Sequence, residues 1–540
     1  MNRYMKLWVI LLILALISFG TQNLALSAWD SFVHFTPPEF EAEPGGRAEP
    51  LTRQVVLVVV DGLRVDAFNK MKYVSSLKEK GAYFVLKTGQ PSLSYPTWAT
   101  IATGAWQDVT GVTTNWFEGP VRQDSIFSLA RDNGMTSYIV GSEGWEKLFG
   151  NVATKVYARE WKDSYNTFDE KTLEKALEYL GENPNLLLVH FVDTDEAGHD
   201  FGGASPEYQK YADHIDTLIE KLHKSMSEDS VLIVTADHGQ IDRGGHGGWE
   251  DVVTNVPLVM IGEQIYQGEF EQAEQGDVAP TVSALLGLPM PPYSQGKILV
   301  GGFYPDVTYY WLSWAQRYEL YVSHSRSFGV EYDMIPMKYE TTDDYYEYLY
   351  NKYQFGKNCG IVAESIRNLP LFLIVLLLPL TALYYARRRW KLSYKLPFLI
   401  SLLFFAIYYA IFFASGKTIS LSAINEEDLL QQFFNQVMMY AAISLISSAI
   451  VLSLLERRKE RYEVAKSTVI LTALVALLFV IQIDVFFLYN GPFIKWYIPN
   501  MFLAFKYYLD MLALVAVGYA SIALPFISIG AHWAWGRLKI

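Results

Sequence analysis

The chain has 540 residues, 51% of them hydrophobic and only 19% charged, with a formal net charge of -13 at pH 7. That length exceeds what one hydrophobic core organises, so at least two domains are expected, and the apolar excess predicts membrane spans. The acidic balance argues against a nucleic-acid polymer as target, since phosphate backbones are held by cationic surfaces. The single cysteine, Cys359, excludes an intramolecular disulfide framework.

The N-terminus, MNRYMK, is basic and runs into LWVILLILALISFG. Residues 1–27 read as a signal anchor, with the small residues near Ala25–Ala28 offering a cleaved signal peptide as the competing reading. Residues 28–52, rich in Pro, Glu and Gly, read as a linker. Val55–Val60 is then a strand buried on both faces, closed by Asp61-Gly62. Pro96–Thr103 reads as a helix with Pro in its first turn, and Ser92, Ser94 and Thr97 lie at or before its N-terminus. Any of these three hydroxyls can be an N-cap or a nucleophile, and a hydroxyl nucleophile needs activation, for which metal coordination is one route.

Thr136–Val140 reads as a short strand and Lys171–Leu180 as a helix. Leu186–Val192 is a further buried strand, followed by DTDEAGHD, in which Asp195 and His199 can converge on one ion from a helical turn or a tight loop. Asp193 and Asp200 are competing acids in the same stretch. After a helix at Pro206–Ser227, the strand Val231–Val234 leads into Asp237-His238 and a Gly-rich loop as far as His246. Asp and His together at the end of a buried strand pack poorly but ligate metals well, and strand C-termini are where α/β sheets hold their chemistry. Leu258–Ile261 is a short strand, and Asp277–Leu286 a helix capped by Asp277 and stopped at Gly287-Leu288-Pro289. Strands alternating with helices give an α/β domain over 53–300 with a mostly parallel sheet flanked by helices.

Residues 301–366 form an aromatic juxtamembrane region, densest over Tyr304–Tyr353 and read as a packing surface at the membrane. Residues 367–540 are a membrane domain of about five helices. Its spans, Leu369–Ala386, Leu396–Ala414, Val437–Leu455, Thr468–Tyr489 and Leu509–Ile529, each suffice for a ~30 Å hydrocarbon core. Basic clusters at Arg387–Lys395, Arg457–Arg461 and Arg537–Lys539 alternate with the acidic Asn425–Asp428 and the nearly neutral 490–500. The positive-inside rule then puts both termini in the cytoplasm and the α/β domain outside it. His190, His214, His223 and His324 read as structural or surface residues, and Trp98, Trp106, Trp116 and Phe117 as packing. Asp484, Asp510 and His532, at or near membrane depth, stay unassigned.

VVLVVVDGLR, SLSYPTWATIATG, DTDEAGH, TADHG, GGHG and DVAPTVSALLGLP, in that order, resemble the alkaline phosphatase superfamily. The nearest branches are the type I phosphodiesterase/nucleotide pyrophosphatases and the GPI ethanolamine phosphate transferases, and the layout of spans around the domain is similar to the latter in particular. The resemblance covers residues 53 to 300 and implies an alkaline-phosphatase-like fold with two Zn²⁺ ions. One would be held by Asp195, His199 and His246, the other by Asp61, Asp237, His238 and the nucleophile. Mn²⁺ or another divalent ion uses the same donors. The family's nucleophile precedes a residue-Pro pair at a helix start, which matches Ser94 before Tyr95-Pro96, and Asn115 stands where the family orients phosphate. A sulfatase is disfavoured because Trp98 replaces the Arg of the C/S-x-P-x-R pattern.

The implied chemistry is attack by Ser94 on a phosphodiester and a phosphoseryl intermediate, with Asn115 and N–H groups of the helix start donating to the phosphoryl oxygens. The sequence expectation places a phosphodiesterase/nucleotide pyrophosphatase-like hydrolase first. The alternative is a head-group (phosphoethanolamine) transferase acting on a lipid-linked or glycan acceptor. A catalytically silent membrane scaffold or transport protein is the rival from another class. The expected partners are a phosphodiester and membrane lipids, and the five later spans point to a lipid-linked substrate.

Overall fold

The computed structural model describes residues 3–43, 45–160, 164–305, 319–320, 322–324, 326–327, 342–390 and 393–537. Much of the aromatic region at 304–353 lies outside them.

The strands are β1 (Gln54–Val60), β2 (Ala82–Lys87), β3 (Ser137–Ser142), β4 (Lys155–Arg159), β5 (Leu186–Phe191), β6 (Ser230–Ala236) and β7 (Asn255–Ile261), with two-residue strands β8 (Gly268–Glu269) and β9 (Ala273–Glu274). They form one sheet in the order β4-β3-β5-β1-β6-β7-β2-β8, with β9 beside β2. Runs of Val, Leu and Ile make β1, β5 and β6, and each is buried along its whole length, as a sheet covered on both faces requires.

The sheet is mostly parallel, as expected, with one exception. β7 runs antiparallel to both β6 and β2. It begins directly after the turn at Asp251–Thr254, on the edge where β6 ends, so the chain returns without the crossover that a parallel partner needs. β7 also begins two residues before Pro257, not after it. The Pro257 carbonyl accepts the Thr235 hydroxyl at 3.0 Å.

Register places the chemistry. Val60 at the end of β1 pairs with Phe191 of β5 on one side and Ala236 of β6 on the other. Three adjacent parallel strands therefore end level, and whatever follows each of them shares one edge of the sheet. Helices Thr167–Leu180 and Pro206–Lys224 pack with each other in one group; Ser94–Thr103, Ile126–Asp132 and Val278–Leu286 form another. Asp277 does stand at the cap position of its helix, but its side chain caps no N–H there. It accepts instead from the backbone N–H groups of Glu274 at 2.9 Å and Lys297 at 2.7 Å, closing the loops on either side.

Among the described residues six helices are long and apolar enough to cross a membrane, over Leu7–Val33, Phe355–Arg388, Lys395–Ala414, Glu427–Leu455, Arg461–Asn490 and Met501–Trp535. The N-terminal helix reaches Val33, so the linker starts later than residue 28. The extension holds because Trp29 packs on Phe32, Phe434 and Tyr508 instead of entering solvent. Upstream, Ser18 sits against Gly518 and donates to the Leu514 carbonyl at 3.3 Å, a close helix approach of the small-residue kind. Residues 34–52 run along the α/β domain: Phe40 packs on Tyr293 at 5.4 Å, and Leu51 N–H reaches the Leu285 carbonyl at 2.9 Å.

Candidate active site

Asp61 follows β1, Asp237 follows β6, and Asp195 lies in the first turn of the helix Asp193–Phe201 that follows β5. The level strand ends bring all three acids together. Gly62 makes this approach feasible: a Cβ there would lie 2.9 Å from both Cα and Oδ1 of Asp195, and its φ of +69° suits glycine. Its N–H donates to Asp237 Oδ1 at 3.0 Å.

Two of the imidazoles named from sequence close one group. His199 Nε2 lies 3.2 Å from Asp195 Oδ2, the pair being four apart on one helix, and His246 Nε2 lies 3.7 Å from Asp195 Oδ1. The second group forms around His238, whose Nε2 is 3.3 Å from Asp61 Oδ1 and 3.5 Å from Asp237 Oδ2. Asp195 reaches this group too, since its carboxylate falls within 4.8 Å of the Asp61 and His238 ligand atoms. The rings of His238 and His246 stack at 3.7 Å, one serving each group.

Of the three hydroxyls near the helix start, only Ser94 faces these acids, with Oγ 3.3 Å from His238 Nε2. Ser92 donates to the Gly248 carbonyl at 2.8 Å, and Thr97 donates back to the Leu93 carbonyl at 2.8 Å. Asn115 Oδ1 accepts the Tyr95 N–H at 3.0 Å, which holds its side chain beside Ser94. That bond uses the N–H expected to face phosphate, Pro96 has none, and the Thr97 N–H bonds the Leu93 carbonyl. The helix start is thus poorer in free donors than the sequence suggested.

The donor set fits divalent cations. In each of the three histidines, Nδ1 meets an oxygen acceptor: Gly239 O at 3.2 Å for His238, Ser92 O at 3.2 Å for His246 and Asn425 Oδ1 at 3.2 Å for His199. Asn425 is held in that orientation because its Nδ2 donates to the His199 carbonyl at 2.9 Å. A proton on Nδ1 turns the Nε2 lone pair toward the carboxylates, the arrangement metal-bound histidines adopt. Tetrahedral Zn²⁺ with ligands at about 2.0 Å separates neighbouring donors by roughly 3.3 Å, close to the carboxylate–imidazole spacings here. Asp61 Oδ1 is buried without a hydrogen-bond donor.

The electrostatics agree. Burial, then the charges of Asp237 and Asp195, push Asp61 well above the usual carboxylate range. Burial and Asp195 raise Asp237 to about 6. Burial lowers His238 to about 4 and His246 to about 3, keeping both neutral. At His199 burial opposes the charge, yet the Asp195 carboxylate outweighs it and raises the ring to about 9. Buried acids that repel one another, with His238 and His246 neutral and only His199 of the three rings charged, call for a counter-cation.

Several groups at the site were not assigned to it from sequence. His190, read from sequence as structural, places Nε2 3.1 Å from Asp61 Oδ2 and groups with Asp61 and Asp237. A lone His in an otherwise apolar strand was the available signal. Trp98 is buried as packing predicts, but its indole N–H also donates to Asp237 Oδ2 at 2.7 Å. Gln240 Nε2 donates to Asp195 Oδ1, and its Oε1 accepts the Gly245 N–H at 2.7 Å, tying the acid to the loop that carries His246. The competing acids are engaged elsewhere: Asp193 accepts from the Asn166 N–H and Asp200 from the Tyr165 hydroxyl at 2.7 Å. Trp98→Phe keeps the ring but removes the donor to Asp237. It should weaken metal binding about tenfold, the usual cost of losing a group that orients a ligand, read by chelator competition on the folded protein.

A cavity of about 290 Å³ opens beside Ser94. One wall is the α/β domain (Asn115, Trp116, Asp195, Glu196, His199, Asp200, His246); the other comes from the membrane helices and their loop (Trp29, Phe32, Leu421, Asn425, Glu426, Glu427, Leu430). The loop is bonded down. Ser422 Oγ accepts the Gly248 N–H at 2.9 Å and donates to Glu250 Oε2 at 2.8 Å, while the Trp249 indole donates to the Ile419 carbonyl at 3.2 Å.

Residues 55–259 match the family model of type I phosphodiesterase / nucleotide pyrophosphatase. The match falls on the stretch that forms most of the mixed sheet flanked by helices. The curated relatives it resembles carry a narrower description. The human GPI ethanolamine phosphate transferase 2, catalytic subunit, is 27% identical over 295 residues, covering 49% of this chain and 30% of the relative. GPI ethanolamine phosphate transferase 1 of Saccharomyces cerevisiae is 27% identical over 311 residues, covering 46% of this chain and 33% of the relative. The chain thus spans about a third of the length of these relatives. Among solved structures, murine ectonucleotide pyrophosphatase / phosphodiesterase 5 aligns with a TM-score of 0.38 and 15% identity, covering 44% of this chain and 96% of that one.

Proposed function

We propose that this protein is a membrane-bound, metal-dependent head-group transferase that moves phosphoethanolamine from a phospholipid to an alcohol acceptor on a lipid-linked glycan. The names of its relatives favour this reading over the nucleotide-diester hydrolase that the sequence put first. The single observation that carries it is the cavity beside Ser94, half of whose wall comes from membrane-embedded helices and their loop. A soluble diester needs no such wall, whereas a lipid presented from the bilayer would meet Trp29, Phe32, Leu421 and Leu430 on its way to Ser94.

On this reading Asp195, His199 and His246 hold one divalent ion, and Asp61, Asp237 and His238 hold the other beside Ser94. Ions bound there would supply Lewis acidity to the phosphoryl group and make a hydroxyl easier to deprotonate. The chain's own residues do the rest. Ser94 Oγ forms a bond to phosphorus as the diacylglycerol oxygen leaves, and the proton lost by the serine balances the one gained by the leaving group. Asn115, held by its bond to Tyr95 N–H, orients the phosphoryl oxygens through its amide N–H. An acceptor hydroxyl then takes the phosphoethanolamine and returns the proton to Ser94. Apolar walls limit water, which favours the alcohol.

The acidic Asn425–Asp428 loop packs on the α/β domain, which supports a topology with both on one side of the membrane, and the basic clusters support the extracytoplasmic side. The decisive assay presents full-length protein in lipid nanodiscs with phosphatidylethanolamine, with and without a GPI glycolipid acceptor. Transfer that depends on the acceptor is expected. Release of free phosphoethanolamine at the same rate without acceptor would return the assignment to a hydrolase, and no turnover of any diester would leave the scaffold reading.

A further inference from the structure

The cavity beside Ser94 is charged in a way its phosphate chemistry does not need. Outside the ligand set it presents four carboxylates, Glu196, Asp200, Glu426 and Glu427, and no Lys or Arg lines it. Among the described residues none of the four is in an ion pair with a lysine or arginine. Nor do they converge as the ligand groups do, for the described clusters able to hold a metal ion draw only on Asp61, His190, Asp195, His199, Asp237, His238 and His246. An anionic substrate such as a nucleotide would be repelled by such a wall. A broad, diffuse cation would be attracted by it.

Glu427 is the best placed of the four. It opens a short 3-10 turn, Glu427–Leu429, at the head of a membrane helix, and is exposed to the cavity. It lines the cavity together with Ser94, Asn115 and Trp116. An ionised carboxylate is acceptor-only, with about four lone-pair sites to offer a cationic N–H group. Glu427 shares one cavity with the nucleophile and with the residue assigned to the phosphoryl group, where a substrate carrying both a phosphate and an amine can meet all three. Trp116 and Trp29, edge to face at 6.2 Å, line the same cavity and offer π faces to a cation.

We infer that Glu427, contributed by the membrane domain, is the specificity residue that binds the ammonium group of a zwitterionic amino-alcohol phosphodiester while Ser94 attacks its phosphorus. This rests on the transferase reading above and names the feature of the donor that the site recognises. It also explains why the loop is bonded so firmly to the α/β domain: the specificity residue and the nucleophile come from different halves of the chain. A displaced loop would lose discrimination and, through Asn425, the support of His199.

The test compares two donors on full-length protein in nanodiscs, with the GPI glycolipid acceptor present throughout: phosphatidylethanolamine, and bis(4-nitrophenyl) phosphate, a diester with no cationic group. The quantity read is the ratio of the two turnover rates, which cancels losses common to both. Glu427→Gln should lower that ratio about tenfold, the scale of one charge-assisted contact. Glu427→Asp, which keeps the charge, should restore most of it. An unchanged ratio in Glu427→Gln overturns the inference and leaves the transferase reading standing. Equal recovery by Glu427→Ala and Glu427→Asp also overturns it, because charge would then play no part. Wild-type protein that cleaves the nitrophenyl diester but not phosphatidylethanolamine overturns both.

Discussion

Ser94→Ala is expected to cut phosphodiester turnover by at least about 10⁴-fold, the scale seen when a covalent nucleophile is removed from an otherwise intact site. Bound metal should persist at close to the wild-type amount, because Asp195, His199 and His246 on one side and Asp61, Asp237 and His238 on the other are untouched. The variant should fold, since Ser94 Oγ bonds only to His238 within the site and its loss leaves no backbone group unpaired. Ser94→Thr keeps a hydroxyl and should retain measurable turnover. Thr97→Ala is the control: its hydroxyl closes only on carbonyls of its own helix turn. If Thr97→Ala abolished turnover and Ser94→Ala did not, the nucleophile would be misassigned. Metal analysis beside single-turnover kinetics separates loss of chemistry from loss of the ions.

Asp61→Asn should move activity and stability in opposite directions. In the metal-free protein Asp61 is a buried carboxylate between Asp237 and Asp195, with one oxygen lacking any donor. An amide of the same shape removes the repulsion and can donate to a neighbouring acid. Removing a buried acid that two neighbouring acids repel relieves that penalty, so the metal-free variant should melt at a higher temperature than metal-free wild type. With metal supplied the order should reverse, because wild type gains the free energy of binding and the variant forfeits much of it. Turnover should fall by about 10³-fold or more, comparable to removing a main electrostatic contributor. Thermal melts with and without a chelator check the sign. A variant less stable than wild type under both conditions would mean that Asp61 is a structural acid.

The sheet and its acids were legible because parallel strands buried on both faces leave a plain record: apolar runs that stop abruptly at Asp. Val55–Val60 before Asp61 and Val231–Val234 before Asp237 are such runs, and the structure adds one or two residues at their ends. Register is what the sequence could not provide. Only the pairing of Val60 with both Phe191 and Ala236 makes the three strand ends meet. β2 (Ala82–Lys87) left a weaker trace, being only half-buried at Val85 and Lys87 and paired with the antiparallel β7. The choice among Ser92, Ser94 and Thr97 was open to residue chemistry alone, because all three can cap a helix; hydrogen-bond partners separate them.

Contacts across the two halves of the chain were beyond sequence reasoning. Asn425 meets His199 across 226 positions, and the NEED stretch carries a charge signal that served only to orient the membrane spans. His190 and Trp98 were hidden for another reason. Each looks like a core residue by composition and is one by burial, yet each turns a ring nitrogen toward the acids.

The central claim is that Asp61, Asp237 and His238 hold one cation beside Ser94 while Asp195, His199 and His246 hold a second. Anomalous scattering at the metal edge, from crystals of the full-length protein grown with Zn²⁺, tests it most directly. Two peaks are expected about 4 Å apart, one inside each group, with Ser94 Oγ beside the peak near His238. A map with no peak within ligand distance of Asp61, Asp195 and Asp237 would contradict the account.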